Sequence, residues 1–465
     1  MNSYDLIVIG SGPAGQKGAV QGAKAGASVL VVESEATVGG ACVHHGTIPS
    51  KALRETALSL SSFQRRSGSV FEVTVRDDLQ VSSLMLRLDE VIRAHERYMT
   101  DQLRRNRIEV WRGKARLVSA LEIEVRGVDG VRRSAVGKNV VIATGSVPRT
   151  PPGVPVDHEH ILDSDSILSM RYLPASLTVL GAGVIASEYA SIFAALGVRV
   201  TMIDQGARPL AFLDPELTSR FVEYFQSVGG TFRGPCRVQK VEWDGLSEVV
   251  THLEGGETVK SEKLLSALGR VANLEGLNVE AAGLQRTPRG LLQVDANCQT
   301  AVPHLYAVGD VIGAPSLAST SMDQGRRAVR HALGLGVTST SDMIPLGIYT
   351  IPEMSSVGLS EQEAKEKHGG AIVGRARFEE LARGQIAAIS DGFLKLVCDA
   401  AGRKLLGVQI VGEGATELVH VGQMALIAGL EVETFVDNIF NFPTLAEAYR
   451  VAALDVVRQR PDERR

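Results

Sequence analysis

The chain has 465 residues, of which 44% are hydrophobic and 22% charged, and its formal net charge is −4. This length usually corresponds to about three domains, and the charge excludes the basic footprint of a nucleic-acid-binding or anionic-membrane-binding protein. No apolar run reaches the ~18 residues of a membrane span, and the N-terminus leads into a strand rather than a secretion signal, so we expect a cytoplasmic protein with small-molecule partners.

The N-terminal segment predicts a strand, a glycine turn, a helix and a second strand. The turn contains Gly10, Gly12 and Gly15, and the second strand, residues 28–33, ends at Glu33. In such a turn the first glycine permits the bend, the second lets backbone amides approach a pyrophosphate, and the third lets the helix pack on the strand. A terminal acid can accept hydrogen bonds from an adenosine ribose. The segment therefore predicts a dinucleotide site.

A long, partly solvated helix is predicted over Leu84–Arg107, where apolar residues recur at helical spacing among many charges. A buried strand beginning at Asn139 then runs into Thr144 and Gly145. Several prolines follow between residues 148 and 155, and they indicate a crossing between domains.

The strand–turn–helix–strand pattern is repeated in the middle of the chain, with Gly181, Gly183 and Ala186 in the turn and Asp204 at the end of the second strand. Both acids follow their turns at the same spacing, which makes two chance matches improbable. Asp204 should disfavour the 2′-phosphate of NADP, and Arg208 is either its counterbalance or an ordinary solvated loop residue. Two such sites in one chain suggest two different dinucleotides, as hydride transfer between a flavin and a nicotinamide requires.

Cysteine and histidine give little support for a metal site. Cys42, Cys236, Cys298 and Cys398 are far apart and match neither a disulfide framework nor a zinc pattern, and the last three are expected to be buried. The neighbouring His44 and His45 have no suitably spaced carboxylate or thiol. His420, in an apolar helical stretch, is more typical of an interface than of catalysis. We therefore predict no metal.

Longer motifs bring in a family resemblance. They comprise the two fingerprints, Gly39-Gly40-Ala-Cys42-Val-His-His-Gly-Thr47-Ile-Pro-Ser-Lys51, Ala143-Thr144-Gly145 and Tyr306-Ala-Val-Gly309-Asp310. Together they resemble the pyridine nucleotide–disulfide oxidoreductase family along nearly the whole chain. Within it, four segments are most similar to the members that exchange hydride between nicotinamide dinucleotides: 163–170, 347–353, 381–385 and 441–450.

The resemblance implies an α/β fold with two Rossmann-like domains, for FAD and for NAD(P), and a C-terminal α+β dimerisation domain. The expected boundaries are 1–148 for the FAD domain, 149–272 for the NAD(P) domain, 273–342 for a return to the FAD domain, and 343–465 for the dimerisation domain. Arg458–Arg465 looks disordered. The partner is a second copy, in a homodimer or a higher homo-oligomer, with Pro443-Thr444 brought to the partner's flavin.

Two departures from the disulfide-reducing members separate this chain from them. Those enzymes carry a second cysteine where this chain has Thr47, and a histidine before the C-terminal Pro-Thr where it has Phe442. Since both halves of a dithiol relay are missing, the remaining chemistry is reversible hydride transfer at flavin N5. Cys42 is then either a lone reactive thiol or a remnant that packs on the flavin.

Residue roles are also implied by the resemblance. Lys51 would lie near flavin N5 and pair with Glu188, unless these are a surface lysine and a solvated helix residue. Asp310 would accept a hydrogen bond from the ribityl chain, with Gly309 allowing close approach, unless it caps the helix expected near Ser316. We also assign Gly269 to the cofactor-binding residues.

The expected function is FAD-dependent, ping-pong hydride transfer between NAD(H) and NADP(H), of the Si-specific type. Three alternatives stay open: an NAD(P)H oxidase or quinone reductase, a dihydrolipoamide dehydrogenase-like enzyme, and a non-catalytic flavin redox sensor.

Overall fold

The computed structural model describes residues 2–67, 81–337, 343–389 and 391–460. The N-terminal sheet and the helices around it have these bounds: β1 Asn2–Ile9, α1 Pro13–Lys24, β2 Val29–Glu33, α2 Gly40–His44, α3 Thr47–Ser67, α4 Val81–Arg105, β3 Glu109–Leu117, β4 Glu122–Gly127, β5 Arg132–Ile142 and β6 Ser146–Pro148. The predicted long helix is present as α4. Strands β1, β2 and β5 are parallel neighbours whose central residues are fully buried, as continuous apolar runs require in a parallel sheet covered on both faces.

The second unit follows with these bounds: β7 Ile161–Asp163, β8 Ser176–Leu180, α5 Val184–Ala195, β9 Arg199–Ile203, α6 Pro215–Ser227, β10 Thr231–Arg233, β11 Val238–Trp243, β12 Val249–Leu253, β13 Thr258–Ser261, β14 Lys263–Ser266 and β15 Arg270–Ala272. Its main sheet is parallel, in the order β10-β9-β8-β14-β7, and β11 to β13 form a separate antiparallel sheet. Both glycine turns therefore lie at the carboxyl end of a central parallel strand, where ligands bind in this type of sheet.

The two units are joined by a short antiparallel pair. Strand β6 leaves the first unit and pairs with β15, which returns to it, through Ser146↔Ala272 and Pro148↔Arg270. The chain then contributes β16 Leu305–Ala307 and α7 Ala318–Ala332. Strand β16 adds to the first sheet beside β5. Residues 305–307 thus return to the sheet of the first unit, and the domain boundaries themselves stay predictions.

The C-terminal unit has these bounds: β17 Leu346–Ile348, β18 Met354–Gly358, α8 Glu361–His368, β19 Ile372–Arg377, α9 Ala382–Ile386, β20 Gly392–Cys398, β21 Leu405–Gly412, α10 Ala415–Ala428, α11 Glu433–Asp437 and α12 Glu447–Arg458. Its five strands form one antiparallel sheet, in the order β17-β18-β21-β20-β19. Tyr449 and Phe435 stack in its core. This is the predicted α+β unit.

The predicted disorder of the C-terminal tail is wrong for residues 458–460, and residues 461–465 lie outside the described range. Arg458 closes α12, and Arg460 is 3% exposed because its guanidinium donates to the carbonyl of Gly402 and pairs with Glu433. A charged residue at a chain end can thus be ordered by a buried partner that lies far away in sequence.

Across the described residues, no helix combines the length and the apolar composition needed to cross a membrane. Cys298 and Cys398 are buried as predicted, whereas Cys236 is only partly buried. Cys236 packs at the margin of the core between the second parallel sheet and the β11–β13 sheet.

Candidate active site

The first glycine turn is shaped by its backbone contacts. A Cβ on Gly10 would lie 2.3 Å from the carbonyl oxygen of Ala143, and one on Gly15 would lie 2.0 Å from that of Gly10. A Cβ on Gly12 would meet nothing within 4 Å. Helix α1 begins directly after Gly12 and has no side-chain cap. Its free amides therefore face an open space above Gly12, which suits a pyrophosphate.

Glu33 is held rigidly at the end of β2. It is 4% exposed, and its Oε2 accepts hydrogen bonds from the backbone amide and the hydroxyl of Ser11, while its Oε1 accepts one from the amide of Glu35. Ser11 was not singled out from the sequence. Its hydroxyl is in contact with the glycine motif as well, because it accepts a hydrogen bond from the amide of Gly39.

The Gly39–Lys51 motif packs on this turn. A Cβ on Gly40 would lie 2.9 Å from the Cα of Gly12, so the two backbones are in close contact. Cys42 follows in α2, and burial raises the pKa of its thiol, an effect that a hydrogen bond with Thr47 only partly offsets. Cys42 should therefore stay a thiol at neutral pH, which argues against the reactive-thiol alternative.

The second glycine turn repeats this geometry. A Cβ on Gly181 would lie 2.7 Å from the carbonyl oxygen of Ala267, and one on Gly183 would meet nothing within 4 Å. Helix α5 begins directly after Gly183 and also lacks a side-chain cap. Asp204 lies at the end of β9, partly exposed, and accepts a 2.6 Å hydrogen bond from the amide of Gly206. The second turn thus offers a second anion-binding helix terminus beside an acid.

The structure contradicts one of the two alternatives for Arg208, that of an ordinary solvated loop residue, and leaves its role beside Asp204 a prediction. Its guanidinium is half-buried and donates to the carbonyl oxygens of Ala211 and Leu213 and to the hydroxyl of Thr218. It is therefore not an ordinary solvated arginine. It braces the connection from β9 to α6, and that connection carries Asp204.

Lys51 and Glu188 form an ion pair between the two nucleotide-binding units. The Nζ of Lys51, on α3, lies 2.6 Å from Oε2 of Glu188, on α5. Glu188 is largely buried, and its Oε1 accepts a hydrogen bond from the backbone amide of Tyr349. The ammonium also lies 4.8 Å from the centre of the Tyr349 ring. Neither residue is the solvated surface side chain of the alternative interpretation.

Tyr349 comes from the C-terminal unit, so this pair is the meeting point of all three units. The segment that contains Tyr349 is held by Arg54 on α3, which donates to the carbonyl of Thr350 and pairs with the buried Glu353 at 3.2 Å. In the sequence, this segment carries only the family resemblance. Its contact with Lys51 could not be inferred, because the two lie almost three hundred residues apart.

Asp310 lies just after β16 and belongs to a chain of polar contacts. Its Oδ2 accepts a 2.6 Å hydrogen bond from the hydroxyl of Ser146. Arg270 donates to the same hydroxyl and pairs with Asp165 across the two units. The alternative role of Asp310 as a helix cap is wrong, because α7 begins at Ala318 with Leu317 in the cap position. One carboxylate oxygen of Asp310 therefore stays available for a ligand.

The remaining predicted glycines and Thr144 lie in loops close to these groups. Gly145, Gly269 and Gly309 all have positive φ angles, and a Cβ on the first two would meet nothing within 4 Å. The hydroxyl of Thr144 and the amide nitrogen of Gln16, on α1, are buried without a hydrogen-bond partner among the described residues. Such atoms call for a ligand that supplies hydrogen bonds. Together with the open Gly12 cradle and Glu33, they fit the pyrophosphate and the sugar of FAD.

No group of three or more candidate metal ligands occurs in the part of the chain that the structure describes. His44 does, however, have a carboxylate neighbour: Glu96 of α4 lies 3.4 Å from its Nδ1, and its Nε2 lies 3.0 Å from the carbonyl of Val38. The expectation that no acid could join His44 is therefore wrong, since α4 folds back over α2. His420 is exposed on α10 and bonds to Gln423.

Apolar side chains are exposed on one part of the C-terminal unit. Helix α10 carries three of them and a fourth follows it, and Phe442, which replaces the expected histidine, is 69% exposed. The three on α10 are Val421, Met424 and Ile427, and the fourth, just beyond its end, is Leu430. Exposed patches of this kind mark interaction surfaces.

Comparison with known proteins assigns the nucleotide-binding part and the C-terminal part of the chain to one family. The pyridine nucleotide-disulphide oxidoreductase family matches residues 4–325, and the dimerisation domain of the same family matches residues 344–453. The chain is 44% identical over 99% of its length to the soluble pyridine nucleotide transhydrogenase of Mycobacterium bovis, 98% of which is covered. It is 42% identical to that of Yersinia enterocolitica, with 97% of each chain covered.

Solved structures of related proteins have the same fold as this chain. LpdA from Mycobacterium tuberculosis superimposes with a TM-score of 0.89 at 26% identity, covering 98% of this chain and 99% of that one. The HOCl-induced flavoprotein disulfide reductase RclA from Escherichia coli does so with a TM-score of 0.87 at 27% identity, covering 97% and 99%. The predicted fold class, two nucleotide-binding domains and a C-terminal dimerisation domain, is confirmed. The chain belongs to the pyridine nucleotide-disulphide oxidoreductase family, as its motifs indicated.

Proposed function

We propose that this protein is an FAD-dependent enzyme that transfers a hydride between NAD(H) and NADP(H). The observation that carries the proposal is the Lys51–Glu188 pair at the junction of the three units, in a chain with Thr47 where a thiol relay needs a second cysteine. The names of the relatives support it, since these proteins are called transhydrogenases.

The two glycine turns would bind the two dinucleotides. The first would hold FAD through Gly10, Gly12, Gly15 and Glu33, with Asp310 at the ribityl chain, and the second would hold the nicotinamide dinucleotide through Gly181, Gly183 and Asp204. When bound, FAD supplies a site that accepts and returns two electrons with a proton. The chain itself must align the two ring systems and fix the charge around them.

Lys51 provides that charge. Its ammonium is held by Glu188 and the Tyr349 ring, and it would stabilise negative charge that develops beside it. Glu188 is itself fixed by the Tyr349 amide. The three groups come from three units, so the geometry of the site depends on how the units are packed.

The missing thiol relay limits the acceptor. Cys236, Cys298 and Cys398 lie in other parts of the fold, and the pKa values of the Cys298 and Cys398 thiols are raised by burial, to about 11 and about 12. Cys42 thus has no partner for a disulfide. We propose that the two nicotinamides bind in turn at the second site, in the ping-pong sequence of an Si-specific transhydrogenase.

A homodimer would be formed by the exposed apolar residues of α10. The match to the dimerisation domain supports this assignment. In a dimer the exposed Phe442 and the neighbouring Pro443-Thr444 would face the partner's flavin. The relatives' description as soluble is consistent with a cytoplasmic enzyme.

Stopped-flow spectroscopy of the FAD-loaded protein tests the proposal. NADH or NADPH should bleach the flavin absorbance, and NAD⁺, NADP⁺ or thio-NAD⁺ should restore it at a comparable rate. If no oxidised nicotinamide restores the absorbance, the proposal fails. Faster reoxidation by oxygen or a quinone would instead identify an oxidase or a quinone reductase, and turnover of lipoamide would identify a disulfide reductase.

A further inference from the structure

A lysine is buried far from the flavin site, between the second nucleotide-binding unit and the C-terminal unit. Lys395 lies on β20, and its side chain is 1% exposed. Its Nζ contacts three carboxylates: Asp214 at 3.0 Å, Glu216 at 2.9 Å and Glu361 at 2.7 Å. A buried ammonium is costly unless it is fully paired, so this position is strongly constrained.

The cluster joins two units. Asp214 and Glu216 begin α6 of the second unit, whereas Lys395 and Glu361 belong to the C-terminal unit. Arg375 of β19 also pairs with Glu216. Arg375 and then Lys395 lower the pKa of Glu216 to about 2, so this carboxylate is charged throughout the physiological range.

Asp214 connects the cluster to the nucleotide-binding loop. Its Oδ1 caps α6 by accepting a hydrogen bond from the amide of Glu216, while its Oδ2 faces Lys395. Both carboxylate oxygens of Asp214 are therefore engaged, one by its own unit and the other by the C-terminal unit. Moving Lys395 would leave a buried, unpaired charge at the first turn of α6.

The loop before Asp214 connects the Lys395 cluster to the second glycine turn. Arg208 ties the loop to α6 through Leu213 and Thr218. The amide of Leu210 donates to the carbonyl of Ala182, which lies between the two glycines Gly181 and Gly183. Hydrogen bonds together with the backbone of the loop thus connect Lys395 to the second glycine turn, and Asp204 lies at the start of the same loop.

We infer that Lys395 is a positioning residue for the nicotinamide dinucleotide: through Asp214 and Arg208 it fixes the 204–214 loop at the adenosine end of the second site. Lys395 itself touches no substrate. The inference rests on the proposed function only in taking the second site as the one for nicotinamide dinucleotides. It also makes the C-terminal unit a determinant of nucleotide affinity.

The test uses Lys395→Met in the FAD-loaded, full-length protein. NADH concentration is varied in stopped-flow reduction, which gives an apparent Kd and a limiting rate. We expect the apparent Kd to rise about 5- to 50-fold, which lies within the range of typical coupling between separate sites, with a limiting rate within about twofold of wild type. A merely structural lysine would lower thermal stability without this split.

Two further variants keep the test decisive. Lys260→Met removes an exposed lysine of the second unit that pairs with Glu248 and should leave the Kd unchanged. Asp214→Asn retains a capping oxygen but weakens the bond to Lys395, so it should raise the Kd in the same direction by a smaller factor. If Lys395→Met folds and binds NADH as wild type does, or if it fails to fold and Asp214→Asn binds normally, the inference is wrong.

Calorimetric titration with NAD⁺ separates this inference from the proposed function, since binding needs no hydride transfer. A wild-type protein that binds NAD⁺ but is not reduced by NADH contradicts the proposed function. The ratio of NAD⁺ affinities between wild type and Lys395→Met then still decides the role of Lys395.

Discussion

The two glycine turns share one backbone geometry but hold their acids differently. Glu33 of the first is 4% exposed and is bound on both oxygens by neighbouring groups, Ser11 among them. Asp204 of the second is partly exposed, and its recorded hydrogen bond comes from its own loop, from Gly206. The first site is thus built in advance and enclosed, as a resident cofactor requires, whereas the second is more open, as an exchanging substrate requires.

The third position of the turn shows the same contrast. Gly15 leaves no room for a methyl group, since its Cβ would lie 2.0 Å from a backbone oxygen. The equivalent Ala186 is fully buried and carries that methyl group. The first helix is therefore packed closer to its strand than the second.

The largest effect should come from breaking the first turn. Gly15→Ala should abolish FAD retention. The added methyl group would meet the backbone oxygen of Gly10, which cannot move aside as a flexible side chain could. The ratio of flavin to protein absorbance after purification measures this loss. Ala186→Gly is the matched control in the second turn, and a flavin content below wild type in that control would contradict the comparison.

Lys51→Met addresses the pair that joins the two sites. We expect the limiting rate of flavin reduction to fall about 10²- to 10³-fold, the usual cost of losing a fixed charge at a reacting centre, with FAD content unchanged. The limiting rate of Glu188→Gln should fall by a smaller factor. The double variant should lose less than the sum of the two single losses, expressed as free energies, because the two residues act together. Additive losses would mean that the residues act independently.

Arg208→Ala distinguishes a brace from a phosphate ligand in the second site. Since its guanidinium is bonded to residues 211–218, we expect KM to rise about tenfold for NADH and NADPH alike, the effect of losing bonds worth roughly 1.4 kcal/mol. A rise confined to NADPH would instead show that Arg208 binds the 2′-phosphate. Arg220→Ala, at an exposed pair on α6, is the control.

The smallest expected effect is on the stability of the fold at acidic pH. Glu216, whose ordinary pKa is 4.5, has a pKa of about 2 in the fold because of Arg375 and Lys395. A lowered pKa stabilises the fold above pH 4.5 and loses that stabilisation as the pH falls towards 2. Glu216 is 39% exposed, and screening limits the effect to about 1 kcal/mol or less. Glu216→Gln should therefore flatten the decline of Tm with acid in this window, and an unchanged decline would remove Glu216 from the cause.

Much of the fold could be predicted from the sequence because the patterns that specify its elements are local. Both fingerprints, the long helix and the C-terminal α+β unit follow from periodicity and glycine spacing over short stretches. The expectation that Lys51 pairs with Glu188 came from resemblance, and the structure does bring the two together.

The contacts that the sequence could not supply are those between distant segments. Tyr349 on Lys51, Glu96 on His44 and Ser146 on Asp310 all depend on how separate elements pack. Arg208 shows the limit within one loop: its spacing from Asp204 was visible, but the direction of its guanidinium was set by carbonyls that only the folded loop presents.

The pairing of β6 with β15 has a consequence for how such a protein can change. The strand that leaves the first unit and the strand that returns to it lie side by side. The second unit is therefore connected to the first through this one pair of strands. Its two ends are adjacent, which is the arrangement that domain insertion tolerates best. We expect that a substrate domain from a relative can be grafted at Pro148 and Arg270, provided that the graft brings a carboxylate to pair with Lys51 and a capping acid to pair with Lys395.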